Sequence, residues 1–330
     1  MKKKIYIWCS NNSKKDGEGV LANKFIDDLI KYNKKNSFKV VTLSLKNINF
    51  FRKIFGNLAD RFFFPVFGVF YLWFVFIFKN KKKICFVNYL PLWNFLLFVI
   101  LPPKTILGPI TGGSTYLNKP FFNYFVRDKI LNLFCNFSVK IIKFRQSKLL
   151  FSTDLLKKKF PHFKKNNYNY VFKDFTFKDK NIKRSFDIIF YLRSHKNKNT
   201  NLLISLAKNL SRSFKVVTVG ERIIDKNIIN KGNINRKQLF NILQRTKYSL
   251  VSSENIYSFF SLDCLSNGVI VFYNKKTKPI KTISKNMIPV NYENSKTLYK
   301  KISTQLKKIY KKPNKIQLMK KNEFETYFKI

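Results

Sequence analysis

Two acids stand close together in a chain that has few of them. Glu254 and Asp263 are nine positions apart, among 17 Asp and Glu residues in 330. The apolar run Tyr248–Val251 predicts a strand that ends just before Glu254, and a short predicted helix carries Asp263. A carboxylate only accepts hydrogen bonds, so it can bind both neighbouring hydroxyls of a ribose. The alternative is a helix-capping Glu254 and a solvated Asp263.

Groups that bind anions are predicted beside the same acids. Arg193 and Lys198 follow the apolar run Phe186–Leu192, which predicts a strand. Arg binds phosphate through a planar fork and Lys binds it as a point charge, although a Lys in so basic a chain is also explained as ordinary surface charge. Amides at the start of a helix bind diphosphates. Those expected to do so are the amides of Ile256, Tyr257 and Ser258.

Alternating strands and helices must position these residues, and such alternation predicts doubly wound parallel sheets. Ligands bind at the carboxyl ends of the strands in such sheets. The predicted strands are Lys4–Cys9, Phe38–Leu43, Ile84–Asn88, Thr105–Ile110, Leu149–Ser152, Phe186–Leu192, Lys215–Val219, Tyr248–Val251, Val269–Tyr273 and Met287–Val290. The main predicted helices are Val20–Tyr32, Phe121–Phe144, Leu202–Leu210 and Leu298–Tyr310.

A polar, Lys- and Asn-rich stretch between residues 161 and 184 separates two such alternations. We therefore predict a first Rossmann-like domain over residues 1–170, a linker over 171–185 and a second Rossmann-like domain over 186–315. A C-terminal helix over 316–330 is expected to pack back on the first domain.

Two glycine-rich segments in the first half are expected to be loops. Gly17, Glu18 and Gly19 fit part of a dinucleotide-binding pattern, but a polar loop separates them from the preceding strand. No acid follows between Asp28 and Asp60 to bind a ribose, so a NAD or FAD site is not predicted. The loop is either a turn that starts a helix or a ligand contact. Gly112 and Gly113 end a second such segment, GPITGG.

The charge is extreme: 65 Lys and Arg against 17 Asp and Glu give a net charge of +48. Such a surface attracts nucleic acid, anionic lipid or phosphorylated substrates, but AT-rich codons favour the same Lys-, Asn-, Ile- and Phe-rich mixture without any partner. The four Cys are far apart and only two His are present, which argues against a disulfide framework and a zinc site. Cys9 and Cys85 are expected to be buried thiols, and no signal peptide is predicted.

The segment Phe62–Phe78 is apolar throughout and is bounded by Arg61 and Lys79. Its length is at the lower limit for a membrane span. A span would separate the predicted strands Phe38–Leu43 and Ile84–Asn88, so that one sheet could not form. We therefore expect a buried helix or a helix lying in the membrane interface, and the lysines that follow favour the interface.

Residues 186 to 273 resemble the donor domain of the family-4 type glycosyltransferases of the GT-B fold. In that family an Arg and a Lys follow the first strand, and a glycine precedes a short helix. A Ser-rich loop then leads to a Glu, a second acid, a glycine and a strand. The matching residues here are Arg193, Lys198, Gly232, Ser252, Ser253, Glu254, Asp263 and Gly268. The acids here are one residue further apart than in the family, the second is Asp rather than Glu, and Leu192 replaces the glycine before the Arg.

The resemblance implies two Rossmann-like domains that face a cleft, and transfer of a sugar from a nucleotide-sugar to a glycan or lipid-linked acceptor. The first half, with the loops at Gly17–Gly19 and Gly112–Gly113, is similar to bacterial envelope glycosyltransferases, as in lipopolysaccharide biosynthesis. Anomeric retention and independence of metals and other cofactors are also implied.

By the same resemblance, Glu254, Arg193 and Lys198 would be catalytic. The donor would contact Asp263, Gly232, Asn233, Ser253, Ile256, Tyr257 and Ser258, and the glycine loops of the first half would face the acceptor. We expect a cytoplasmic protein, peripheral on the inner face of the membrane, with no specific nucleic-acid partner. The alternative is a non-catalytic basic module that binds nucleic acid or anionic membrane.

Overall fold

A computed structural model of the chain contains two compact units, each built on one sheet of six parallel strands. The structure describes residues 4–9, 22–23, 25–27, 29–30, 39–43, 48–56, 63–79, 82–111, 125–146, 148–151, 159–160, 167–169, 177–178, 182–194, 199–251, 256–277 and 279–316. The last strand of the first sheet ends at residue 169 and the first strand of the second sheet begins at residue 186.

The first sheet has the strand order β2-β1-β3-β4-β5-β6. Its strands are β1 (Lys4–Trp8), β2 (Lys39–Leu43), β3 (Lys82–Pro91), β4 (Ile106–Thr111), β5 (Leu149–Phe151) and β6 (Asn167–Asn169). The helices of this unit include α1 (Ile48–Phe55), α2 (Phe64–Phe78), α3 (Phe95–Ile100) and α4 (Leu131–Arg145), which follows a π-helical turn at Val126–Ile130. The described positions between residues 22 and 30 are helical as well.

Helix α2 packs on β1 because Gly68 has no side chain. A Cβ at Gly68 would lie 2.1 Å from Nε1 of Trp8, so the indole ring lies against the helix backbone. Leu72 and Val75 of the same helix are buried in the core with Trp8. Since β1 pairs with both β2 and β3, the strands before and after α2 belong to one sheet, as predicted. Among the described residues no helix is long and apolar enough to span a bilayer.

The second sheet has the order β12-β11-β10-β7-β8-β9, with all pairs parallel. Its strands are β7 (Phe186–Leu192), β8 (Val216–Gly220), β9 (Ile228–Asn230), β10 (Thr246–Leu250), β11 (Ile270–Asn274) and β12 (Met287–Val290). Its helices are α5 (Thr200–Ser211), α6 (Arg236–Leu243), α7 (Phe259–Ser266), α8 (Lys281–Ser284) and α9 (Ser295–Lys307). The α/β class with two doubly wound parallel sheets is thus confirmed.

Cys9, Cys85 and Cys264 are buried, and Cys135 is half-buried. Burial raises the pKa of Cys85 to about 12 and raises that of Cys264 further, so both remain protonated, inert thiols. This confirms the expectation for Cys9 and Cys85.

Candidate functional site

The strand order of the second sheet reverses between β7 and β10. From β7 the chain builds outwards through β8 and β9, then returns to place β10 on the other side of β7. Loops leave the carboxyl ends of two such strands in opposite directions and open a crevice, where ligands of doubly wound folds bind. Arg193 follows β7 at this point, and Val251 follows β10.

Hydrogen bonds fix the backbone around Arg193. Its carbonyl accepts a hydrogen bond from the Thr200 hydroxyl at 2.7 Å. The next residue, Ser194, donates its N–H to the Glu221 carboxylate, and the Glu221 N–H donates to the carbonyl of Leu192 at 3.0 Å. The side chain of Arg193 itself is exposed. The result is an accessible cation on a fixed backbone at the end of β7.

Gly220 allows the ends of β7 and β8 to approach each other. Its φ is +92°, and a Cβ there would lie 2.1 Å from the carbonyl oxygen of Leu192. No other residue fits both the backbone angle and the space. The sequence showed the glycine after the apolar run, but the role of Glu221 beside it was missed, because its partner lies 27 residues away.

The loops after β8 and β9 are joined at Gly232. Its carbonyl accepts the N–H of Gly220 at 2.9 Å, and its φ is +63°. The guanidinium of Arg222 lies against it, because a Cβ on Gly232 would come within 3.3 Å of the Arg222 Nε. Asn233, which follows, is exposed. Gly232 therefore shapes the edge of the crevice, and Arg222 is a second exposed cation there that sequence reasoning missed.

Asp263 lies on α7, is only 6% exposed and binds Arg236. Two parallel hydrogen bonds join them, from Nη2 to Oδ1 at 2.6 Å and from Nε to Oδ2 at 3.1 Å. Arg236 begins α6, stacks over the ring of Phe240 and keeps about half of its side chain exposed. The structure therefore contradicts the alternative prediction that Asp263 is solvated.

This ion pair changes what a ligand meets at Asp263. A ribose that reaches the carboxylate does so beside the Arg236 guanidinium, which already holds both carboxylate oxygens. In the family that residues 186 to 273 resemble, the second acid would fall at position 262. That position here is Leu262, which is buried and apolar. Asp263 is the acid that α7 carries, and its contact with a ribose stays a prediction. The pairing of Arg236 with it was not predicted from the sequence.

The start of α7 is formed as predicted. Ser258 caps the helix, and its Oγ accepts the N–H of Ser261 at 3.2 Å. Tyr257 and Ile256 are buried, and the Tyr257 hydroxyl accepts the N–H of Ile280 at 3.1 Å. These two side chains anchor the helix start, so backbone amides rather than side chains would face a ligand there.

Tyr292 holds the end of β10 in place. Its hydroxyl donates a hydrogen bond to the carbonyl of Val251, three residues before Glu254. Burial raises the pKa of Tyr292 well above its ordinary value, so the hydroxyl remains a donor. Sequence reasoning missed this contact because it joins residues 41 positions apart.

Several predicted site residues lie outside the described residues, and their roles remain predictions. They are Gly17, Glu18, Gly19, Gly112, Gly113, Lys198, Ser253 and Glu254. Within the part of the chain that is described, no group of three or more His, Cys, Asp or Glu side chains is arranged to hold a metal ion.

Comparison with solved structures finds one protein of the same fold and others that are more weakly similar. A glycosyltransferase from Rickettsia africae superposes with a TM-score of 0.51 at 12% identity, over 92% of this chain and 88% of that one. HepE from Anabaena in complex with UDP gives 0.49 at 11% identity, over 92% and 89%. The UDP-GlcNAc 2-epimerase from Methanocaldococcus jannaschii gives 0.48 at 9% identity, over 98% of both chains. No family model and no curated protein matches the sequence. The likeness to the Rickettsia protein shows that the chain has the GT-B fold.

Proposed function

We propose that the chain is a glycosyltransferase that moves a sugar from a nucleotide-sugar to a surface-glycan or lipid-linked acceptor. The observation that carries this proposal is the crevice between β7 and β10. An exposed arginine, Arg193, stands on one side and the capped start of α7 on the other. Cations and helix-start amides are the groups that bind a diphosphate. The GT-B fold, shared with the Rickettsia africae glycosyltransferase, supports the same assignment.

In the proposed reaction the acceptor oxygen forms a bond to the anomeric carbon and gives up its proton to an oxygen of the leaving diphosphate. The bond from that carbon to the diphosphate breaks, and the diphosphate leaves with the electron pair. Arg193, Lys198 and the amides at the start of α7 stabilise the leaving group in place of a divalent cation. Positive charge that develops on the sugar resembles that in other glycosyl transfers, and Glu254 is proposed to act on that sugar. The anomeric configuration is retained.

The nucleoside is proposed to bind along the loops of the same edge. Asp263 accepts hydrogen bonds from the ribose beside Arg236, while Gly232, Asn233 and Ser253 contact the donor. The glycine-rich segments at residues 17–19 and 112–113 are proposed to serve the acceptor. No bound metal or other cofactor is required, so turnover is expected to persist in excess chelator. Loss of activity in chelator with recovery on added Mg²⁺ would refute that part.

The proposed setting is envelope glycan or lipopolysaccharide assembly at the inner face of the cytoplasmic membrane. Helix α2 supports this location, because Phe70 is 67% exposed in an apolar helix that Lys79 follows. An apolar face with basic flanks binds anionic bilayers.

A thermal-shift screen with UDP-, GDP- and ADP-sugars in EDTA tests the proposed function. We expect the donors of one base to raise the melting temperature more than those of the other two. The alternative, a non-catalytic basic module, predicts that no nucleotide-sugar is preferred. It also predicts binding to DNA or anionic vesicles that weakens steeply with salt.

A further inference from the structure

Helix α2 has two apolar faces, and only one of them packs in the core. Its buried stripe runs through Phe64, Gly68, Leu72 and Val75. An exposed apolar stripe runs along the other side at the three- and four-residue spacing of one helix face. Its members are Phe63, Val66, Phe70, Phe74 and Ile77. Among the described residues, Phe63 stacks on Phe55 of α1, and the other side chains of this stripe remain exposed.

Helices α3 and α4 continue the exposed apolar surface. The Trp73 indole of α2 donates to the carbonyl of Ile100 in α3 at 2.7 Å. The rings of Phe95 in α3 and Phe134 in α4 lie 5.2 Å apart. The inner sides of the three helices share one core cluster with β1 and β3. The outer sides expose Leu96, Val99 and Ile100 on α3, and Leu133, Phe137 and Phe144 on α4. We call the exposed apolar side chains of α2, α3 and α4 the outer helical face.

Single exposed apolar side chains are common on soluble proteins, but a contiguous patch marks a contact with another protein or a membrane. Charge distinguishes the two here. Between residues 48 and 145 the chain has two acids, Asp60 and Asp128, against fourteen Lys and Arg. Lys140 and Lys143 are exposed on α4 beside Phe144. A second copy would bring like charge against like charge, whereas an anionic bilayer neutralises the lysines and takes up the apolar side chains.

We infer that the outer helical face docks the protein on an anionic bilayer through all three helices. This inference rests on the membrane location proposed above and widens it from one helix to a surface. Trp93, which precedes α3, is nearly half exposed, and indole rings favour the depth of the lipid headgroups. Trp8 is buried in the core and Trp73 of α2 is partly buried, so Trp93 is the most exposed of the three tryptophans and serves as a reporter of contact.

Co-sedimentation of the full chain with vesicles of phosphatidylglycerol and phosphatidylcholine tests the surface one helix at a time. The double variant Phe70→Ser/Phe74→Ser removes two side chains of α2, and Leu133→Ser/Phe137→Ser removes two of α4. Each is expected to weaken partitioning at least about tenfold. The matched control is Ile224→Ser/Ile309→Ser, which removes two exposed isoleucines of the second unit and should change nothing.

Three results would overturn the inference. The first is loss of binding in the α2 variant but not in the α4 variant. The second is wild-type binding that is absent, or equal on pure phosphatidylcholine. The third is a wild-type dimer in sedimentation velocity that dissociates in both variants, which would make a second copy the occupant. Brominated lipid should quench wild-type tryptophan fluorescence, and Trp93→Phe should lose most of that quenching.

Nucleotide binding separates this inference from the proposed function. Both surface variants should keep the wild-type thermal shift with the preferred nucleotide-sugar, which also shows that they fold. If no protein responds to any nucleotide-sugar while the vesicle results hold, the proposed function fails and the docking surface stands. If the protein binds a nucleotide-sugar normally but the α2 and α4 variants bind vesicles as wild type does, the docking surface fails and the proposed function stands.

Discussion

Arg193 is the described side chain on which the proposed phosphate contact depends most. Replacing it with Ala removes a charge-assisted hydrogen bond of about 1.5–3 kcal/mol, which corresponds to about tenfold to a hundredfold weaker donor binding. Titration of the donor into both proteins measures the difference. Arg212→Ala is the control, because Arg212 is also exposed but lies at the far end of α5. Equal affinities for Arg193→Ala and Arg212→Ala would remove Arg193 from the site.

The Arg236–Asp263 pair predicts a stability effect that is separate from ligand binding. Arg236→Met leaves a nearly buried carboxylate without its bidentate partner and should lower the free energy of unfolding by about 1–3 kcal/mol. Chemical denaturation checks this, with Arg222→Met as the control, since Arg222 is an exposed cation beside Gly232. A loss no larger than in the control would show that the pair contributes nothing to the fold.

Asp263 is predicted to affect nucleotide affinity, and Glu254 is predicted to affect turnover. Asp263→Ala should weaken nucleotide affinity, because the ribose loses an acceptor, whereas Glu254→Ala should lower turnover with little change in affinity. Arg236→Met controls for the broken ion pair in the first variant. If Asp263→Ala binds the nucleotide as wild type does, the ribose assignment is wrong.

At the scale of elements, the close approach of β7 and β8 predicts that Gly220→Ala is costly. The new Cβ would meet the Leu192 carbonyl, which is backbone and cannot rotate away. We expect a loss of more than about 2 kcal/mol, from the left-handed strain together with the overlap. Gly232→Ala is the control, because its φ is also positive but only the flexible Arg222 side chain is nearby. Thermal unfolding of the two variants should differ clearly, and equal melting temperatures would contradict the close approach.

Tyr292 predicts a pH dependence at the end of β10. Its folded-state pKa is raised, while that of an unfolded tyrosine is about 10. The stability that depends on the neutral hydroxyl is therefore complete below about pH 10 and is lost as the pH rises through the folded-state pKa, because the unfolded chain releases its proton first. Tyr292→Phe should cost about 1–3 kcal/mol at neutral pH and reduce the alkaline fall. Denaturation at several pH values compares the two proteins, and parallel alkaline slopes would contradict this role.

Strands could be predicted from the sequence more accurately than contacts between residues that are distant in the chain. The apolar run FDIIFYL is long enough to indicate β7, and the shorter run MIPV indicates β12 because polar residues stand on both sides of it. Both strands were predicted with their observed bounds. The strands β6 and β9 were missed, because three residues, NYN and IIN, are too short to show a period. The position of a site at the carboxyl ends of the strands followed from strand alternation, but the reversal of strand order between β7 and β10 was not predicted. The Arg236–Asp263 pair was not predicted either, because it joins two helices through residues 27 positions apart.

In the whole molecule, the two units have different proposed roles. The second carries the crevice and its cations, and the first carries the outer helical face. The net charge of +48 belongs to the whole chain and has two explanations, codon composition and anionic partners. Salt dependence distinguishes them for each partner, because binding through many lysines weakens steeply with salt.

Isothermal titration calorimetry in EDTA measures whether the second unit binds the nucleotide of a nucleotide-sugar. The titrants are UDP, GDP and ADP at low and high salt, with heparin as an unrelated polyanion. We expect one site per chain, at least about tenfold preference for one base and an affinity that Arg193→Ala weakens but Arg212→Ala does not. Binding of all three nucleotides and heparin without preference, lost together at high salt and indifferent to Arg193, would contradict this expectation.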